Sequence, residues 1–347
     1  MIATGLMDII RVKYAMEITD VTEHRGYVNT VYGLKTKDGS IVYLRGYNPK
    51  DSIMNKKSTN ELAILNFVRE KTDKVKLDFV ISDNENNQKF EYGGLIYTLR
   101  QGLSGKPSGH GLVNSAKRRS TGNLLGHLHN TLADFPADQW HEFNYGNYFL
   151  PIIFHLSLEE LTTLVERANN AIPGTNTLAA KIWGQNRKKA YQYINRYCEL
   201  RKNIILPVQV IHGDLDPTNV TFMGDRAVGF MDWDFLQKSP RILDLANSMI
   251  NRPAYRVGDG KITFDFNQVR EFIWGYQDTI HNKLSVEEIN AVPFAFYNMG
   301  LQYLLTAGFL FTKEISDEKL ANFLAFRFVF MDKLESLGEK WFKLQDN

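Results

Sequence analysis

The residues with the greatest chemical potential lie in Ile211-His212-Gly213-Asp214-Leu215-Asp216-Pro217-Thr218-Asn219, followed by Gly229-Phe230-Met231-Asp232-Trp233-Asp234. Asp214 and Asn219 are five positions apart, and Asp232 follows Asn219 by thirteen. The intervening residues read as two short strands joined by a turn, so the chain returns to its starting point and brings Asp232 near Asn219. A carboxylate free to orient a hydroxyl, beside an Asn and a second carboxylate that offer hard oxygen ligands, is the set that phosphoryl transfer requires. The same residue types also cap loops, which is the plainer reading of any one of them alone. Their conjunction with a hairpin and a following Asp244-Leu245-Ala246 favours chemistry.

Positioning such a set takes a scaffold, and the chain divides into two parts. Residues 1–101 read as a small antiparallel β lobe, and residues 102–347 as a larger, mainly helical lobe; the fold class is α+β. In the first part, Ile18–His24, Asn29–Lys35 and Ser40–Arg45 are β-prone runs, and Thr36-Lys37-Asp38-Gly39 is a hairpin turn. A helix is expected over Lys57–Lys71, then strands at Gln88–Tyr92 and Leu95–Leu99. A Gly-, Ser- and Pro-rich segment from Gln101 to Gly111 separates the lobes. Beyond it, helices are expected over Asn114–Leu132 and Leu178–Lys202. Ser157 with Glu160 and Ser285 with Glu288 form capping-box signals for two more. Strands are expected at Val208–Ile211, Val220–Met223 and Ala227–Met231, and helices from Arg241 to the end.

Bulk properties exclude some classes of function. Of 347 residues, 44% are apolar and 23% charged, the make-up of a globular chain. A net charge of +2, from 41 basic and 39 acidic side chains, gives no electrostatic case for nucleic acid or a membrane as partner. The single cysteine, Cys198, rules out a disulfide within these residues and suits a reducing cytoplasm. Met1–Asp8 lacks the basic start and apolar run of a signal peptide. Met299–Phe311 is too short to span a bilayer and reads as a core helix.

The catalytic segment resembles the signature of the aminoglycoside phosphotransferase superfamily, which also includes choline kinases, type II homoserine kinases and several sugar kinases, and shares the protein-kinase fold. The Asp214-to-Asn219 spacing equals that of the base and the metal-binding Asn in the protein kinase catalytic loop. The resemblance implies that Asp214 is the catalytic base and that Asn219 and Asp232 bind magnesium. It further implies that His212 and Gly213 shape the loop and that Asp244 supports it from the next helix. Asp232-Trp233-Asp234 stands where a protein kinase has Asp-Phe-Gly, and no activation segment precedes Asp244, which argues against a protein substrate.

On the same resemblance the first lobe holds ATP, with GTP also compatible. Gly26–Tyr32, with Asn29, corresponds to the phosphate-covering loop. Arg45, at the end of the third strand, corresponds to the phosphate-binding basic residue, and Glu61 in the next helix to its partner. Protein kinases use Lys at the Arg45 position, and the guanidinium fork also suits phosphate. Main chain near Leu99 to Gln101 corresponds to the adenine hinge. His127 and His129, two apart on a helix, point in different directions and read as packing or surface residues. Asp216 and Asp234 could attract a cationic acceptor, or serve as a loop cap and a local hydrogen-bond partner. Phe294, Phe296, Tyr297 and Tyr303 could wall the acceptor pocket or form core. The implied activity is transfer of phosphoryl from magnesium-bound ATP to a hydroxyl of a small molecule: an antibiotic, amino alcohol, homoserine-like compound or amino sugar. The alternative is a silent kinase-fold binding or structural protein. Oligomeric state is not specified by the sequence.

Overall fold

The computed structural model describes residues 4–25, 30–47, 52–108, 114–143, 152–172, 176–250, 255–258, 261–312 and 315–338. The chain opens with a helix, α1 (Thr4–Tyr14), followed by β1 (Ile18–Arg25), β2 (Thr30–Thr36) and β3 (Ile41–Tyr47). The three strands pair antiparallel in order, and Gly39 turns between β2 and β3 with a φ of 85°. The α1 helix is an addition to the expected strands. Leu6, Ile10 and Tyr14, spaced by four, bury one face of it against Leu34, Leu44 and Leu99 of the sheet.

Next come α2 (Ser52–Lys71), β4 (Lys76–Leu77), β5 (Val80–Ile81), β6 (Phe90–Tyr92) and β7 (Leu95–Gln101). The α2 helix begins before the expected Lys57, and it buries Leu62, Ile64, Leu65 and Val68. Strand β7 pairs with β3 on one edge and with β5 and β6 on the other, which makes it the centre of the first sheet.

A short strand, β8 (Lys106–Pro107), leads to α3 (Ser115–Leu132), α4 (Leu158–Ala171) and α5 (Leu178–Lys202). Asn114 caps α3, and the Ser157–Glu160 capping box starts α4, as the sequence indicated. Then follow β9 (Val208–Ile211), β10 (Val220–Met223), β11 (Arg226–Phe230), β12 (Gln237–Pro240) and α6 (Ile242–Ile250). The expected all-helical run after Arg241 is interrupted by a hairpin of β13 (Tyr255–Gly258) and β14 (Lys261–Phe264). The chain continues as α7 (Phe266–Thr279), α8 (Val286–Asn290), α9 (Val292–Leu305), α10 (Ala307–Leu310) and α11 (Asp317–Leu337). Helices α3 and α7 approach closely because Gly122, Gly126 and Gly275 carry no side chain: a Cβ on any of them would collide with the facing helix. The Met299–Phe311 stretch is divided between α9 and α10, and no helix among the described residues is long and apolar enough to cross a membrane.

Two pairings set the position of the central hairpin. Strand β4 lies parallel to β11, and β8 lies antiparallel to β10, so chain from either side of β7 flanks the β10–β11 hairpin. Strand β12 pairs with β9, closing the loops at both ends of the hairpin into one unit.

Candidate active site

The loop between β9 and β10 is fixed largely from below by α6. Asp244, fully buried near the start of that helix, accepts from the main-chain N–H of His212 at 2.8 Å and of Gly213 at 2.7 Å. Asn247, one turn on, donates to Gly213 O at 2.8 Å, and Ser248 donates to Leu215 O at 3.1 Å. Positions 244, 247 and 248 share a helix face, so one turn of α6 grips two consecutive residues of the loop, His212 and Gly213, and Leu215 beyond them. Gly213 adopts a φ of 80°, and a Cβ there would press on Phe235 O; a side chain at 213 is excluded on both counts.

His129, read in the sequence as a packing or surface residue, has a more specific place. It is fully buried, donates from Nε2 to Asp244 Oδ2 at 3.0 Å, and accepts at Nδ1 from the Tyr276 hydroxyl at 2.9 Å. His212 is also fully buried. Its Nε2 donates to Met231 O at 3.2 Å, and its Nδ1 accepts from Asp214 N at 3.3 Å. Burial holds this imidazole below its ordinary pKa, which keeps it neutral in that role.

Asp214 therefore leaves the loop at a fixed angle. Its carboxylate and its carbonyl both accept from Asn219 Nδ2, at 3.1 and 2.9 Å. Burial, then repulsion from Asp232 and Asp216, pushes the Asp214 carboxyl well above the usual carboxylate range. Asn219 is tied to the return strand, where Met231 N donates to its carbonyl at 2.9 Å. The hairpin thus brings Asp232 beside Asn219, as the thirteen-residue spacing suggested. Asp232 has a φ of 64°, unusual for a residue with a side chain, and 45% of its side chain is exposed whereas Trp233 and Asp234 after it are buried.

Arg45 reaches this cluster from β3. Its guanidinium forms an ion pair with Asp234, lies 3.3 Å from Asp232 Oδ1, and lies 3.5 Å from Glu61 Oε1. Glu61 has a nearer partner that the sequence reading passed over: Arg100, on β7, at 2.7 Å. Arg100 also holds Asp78 at 3.1 Å and donates from Nη2 to Tyr47 Oη at 2.5 Å, within a largely buried network. The missed signal was alternation along β7, which turns Arg100 to the α2 side and leaves its neighbours on the other.

The remaining sequence candidates sit as follows. Asp216 caps the 3-10 turn Pro217–Asn219, accepting from Thr218 N at 2.8 Å and Thr218 Oγ1 at 2.6 Å, so its carboxylate is engaged within the loop. Leu99 is fully buried in the sheet, and Gln101 N donates to Phe79 O at 2.9 Å. Gly102 and Leu103, just beyond, line the open space together with Arg100, Gly105 and Pro107. Phe294, Phe296 and Tyr297 are buried in the core, and of that cluster only Tyr303 faces the cavity. Asn29 and the rest of the 26–29 turn lie outside the described residues.

A cavity of about 770 Å³ connects these groups. Val31, Tyr43 and Arg45 line it from the first lobe, Gly102 and Leu103 from the segment between the lobes, Asp214, Asp232 and Asp234 from the centre, and residues of α9–α11 from the far side. Volume on this scale accommodates a nucleotide with a small second molecule. The donor set fits magnesium. With its amide nitrogen turned to Asp214, Asn219 has its Oδ1 left as a hard ligand, and Asp232 presents a largely exposed carboxylate. No cluster of three or more acidic, His or Cys residues forms a closed metal cage among the described residues. Two protein ligands beside phosphate oxygens and water is the usual arrangement for magnesium on a nucleotide. A divalent cation here would also cancel the repulsion that raises Asp214.

Comparison with known proteins agrees with this layout. The profile of the phosphotransferase enzyme family matches residues 20–272. The homoserine kinase of Zymomonas mobilis is 28% identical over 231 residues, which is 65% of this chain and 64% of that protein. The homoserine kinase of Sinorhizobium fredii is 33% identical over 101 residues, 29% of either chain. The chain thus aligns with less than two thirds of the length of these curated relatives. Among solved structures, an amicoumacin kinase bound to AMP-PNP and Ca2+ superimposes with a TM-score of 0.69 at 12% identity, covering 95% of this chain and 93% of that one. A spectinomycin phosphotransferase bound to ADP and spectinomycin gives 0.68 at 14% identity, covering 97% and 99%. A microcompartment-associated aminopropanol kinase gives 0.61 at 12%, covering 96% and 97%. These likenesses establish the protein-kinase-like fold. With the profile match running from β1 into α7 and through the whole Asp214–Asp244 segment, the chain belongs to the phosphotransferase enzyme family.

Proposed function

We propose that the protein transfers the γ-phosphoryl group of ATP, with magnesium, to a hydroxyl of a small molecule. The observation that carries this reading is the placement of Asp214 on the wall of a single cavity that also holds Asp232 and Arg45, with Asn219 bonded to its carboxylate.

On this reading the nucleotide lies under the first sheet, with its base toward Gly102 and Leu103 and its phosphates toward Arg45. Asn219 and Asp232 would hold magnesium, which would supply positive charge against the phosphates of the nucleotide. Asp214 accepts a hydrogen bond from the acceptor hydroxyl and fixes its direction of attack. As the acceptor O–P bond forms and the bond to the β-phosphate bridging oxygen breaks, the hydroxyl proton passes to the Asp214 carboxylate. Arg45, now paired with Asp234 and close to Asp232, is within the same cluster and can share its charge with phosphate. Burial around Asp214 excludes competing water, which favours the bound hydroxyl as nucleophile.

The test is magnesium-dependent ADP release across aminoglycosides, macrolides, peptide antibiotics, homoserine, choline and amino sugars. A hit that vanishes in Asp214→Asn supports the assignment. A variant that keeps full activity on the best acceptor overturns the role of Asp214. Failure of magnesium–ATP to shift the melting temperature would favour a silent kinase-fold protein instead.

A further inference from the structure

The cavity is lined by a carboxylate that the proposed transfer step does not use. Asp78 lines it, and every other cavity-lining carboxylate among the described residues belongs to the cluster of Asp214, Asp232 and Asp234. Phe79 N donates to Leu77 O at 3.0 Å, so Asp78 stands at the apex of a three-residue turn between β4 and β5. The register of the first sheet then fixes its level. Val80 pairs with Arg100 on β7, and Phe79 O accepts from Gln101 N at 2.9 Å, which brings Asp78 opposite Gly102. Gly102 and Leu103 line the same cavity, so Asp78 borders the end of it assigned to the base.

This carboxylate is only partly satisfied. Its Oδ2 accepts from Arg100 Nη1 at 3.1 Å, while its Oδ1 is buried and has no hydrogen-bond partner among the described residues. Of its side chain 16% is exposed. A carboxylate offers about four acceptor positions, so capacity remains for a donor from the cavity. The guanidinium beside it is already committed, because Arg100 donates to Thr98, Glu61, Asp78 and Tyr47. A ligand acceptor placed here meets an anion and an engaged cation, whereas a ligand donor meets an open acceptor. Burial raises the Asp78 carboxyl; the Arg100 guanidinium counters that and favours the ionised, acceptor-only form.

Purine bases differ at this point. A 6-aminopurine brings an exocyclic N–H donor, and a 6-oxopurine brings a carbonyl oxygen, which a carboxylate repels. A carboxylate can also hold guanine through the N1–H and the 2-amino group together, but that two-pronged contact needs both oxygens. With Oδ1 buried, Asp78 offers one.

We propose that Asp78 selects the nucleobase: its carboxylate accepts from the exocyclic amine of a 6-aminopurine, so that adenine nucleotides are preferred to guanine nucleotides. This rests on the phosphotransferase reading above and names the residue that sets its nucleotide preference.

The experiment uses the full chain with magnesium and reads affinity by calorimetry for four diphosphates: ADP, purine riboside diphosphate (hydrogen at position 6), IDP and GDP. ADP should bind about tenfold more tightly than purine riboside diphosphate, the ratio expected from one charge-assisted hydrogen bond. IDP and GDP should bind more weakly still. In Asp78→Asn the side-chain amide can donate to a 6-oxo group, and the ADP-over-IDP ratio should fall about tenfold or more. The wild-type series stands alone as a test if that variant misfolds. Equal binding of ADP and purine riboside diphosphate overturns the proposal, as does binding of IDP or GDP as tight as that of ADP. An ADP-over-IDP ratio unchanged in folded Asp78→Asn overturns it as well. Each of these results leaves the kinase reading standing, whereas no binding of any diphosphate sinks the kinase reading along with this one.

Discussion

Arg100 Nη1 lies 2.7 Å from Glu61 Oε1, while Arg45 Nη1 stands 3.5 Å from the same oxygen. The carboxylate of α2 is thus held mainly by the central strand of the sheet, and Arg45 is left to face Asp232 and Asp234. Removing Arg100 would leave Glu61 and Asp78 in a buried site without their main counter-charge. Arg100→Met is expected to lower stability by about 3–5 kcal/mol, the usual effect of breaking a buried pair from one side. Denaturant unfolding measures it, and a loss below about 1 kcal/mol would mean that the network behaves like a surface pair.

The same network sets an acid dependence. Burial alone would raise the Glu61 carboxyl; the guanidinium groups of Arg100 and Arg45, with hydrogen bonds from Arg100 and Tyr47, outweigh it and hold it at about 2, against an ordinary value of 4.5. The folded pKa is depressed, so the stability it contributes is fully present above 4.5 and is lost as the pH falls toward 2. The gap in melting temperature between wild type and Glu61→Gln should be wide at pH 6 and narrow progressively below pH ~4.5. A gap that stays constant over that range would show that Glu61 is not held ionised by its partners.

Asp214→Asn keeps the shape of the side chain and removes its capacity to take a proton. The expected result is a fall in kcat of about 10²–10⁴, the range for loss of a general base, with a much smaller change in the KM for ATP. A comparable rise in KM without a fall in kcat would assign Asp214 to binding.

Asp244 touches no open space, and its importance is through the loop. Asp244→Asn turns one acceptor into a donor against the N–H groups of His212 and Gly213 and the Nε2–H of His129. A stability loss of about 2–4 kcal/mol is expected from leaving buried donors unmatched. Activity should fall through kcat as Asp214 loses its fixed direction, and crowding will be felt similarly in Gly213→Ala. Kinetics on the folded fraction, with the melting temperature measured alongside, separate positioning from simple unfolding; wild-type kcat in both variants would refute the positioning role.

Much of this protein could be read from local pattern. Gly39 marked its hairpin, Ser157 with Glu160 and Ser285 with Glu288 marked helix starts, and α5 spans the expected Leu178–Lys202. These features depend on near neighbours in the chain, and local physical chemistry decides them. The Asp214–Asn219–Asp232 grouping was legible for the same reason, because one short hairpin joins its parts. The α1 helix carried its Leu6, Ile10 and Tyr14 spacing in plain view, but only the sheet face beneath gives that stripe something to bury against. Other features needed the fold. Arg100 meets Glu61 across 39 residues, Arg45 meets Asp234 across 189, and His129 meets Asp244 across 115. The engagement of Asp234 by Arg45, and the gathering of Tyr303, Lys319 and Arg327 on one wall, likewise follow from helices and strands distant in sequence. Sequence therefore determined the chemical groups available, while tertiary packing decided which charges neutralise each other and which remain turned toward the cavity.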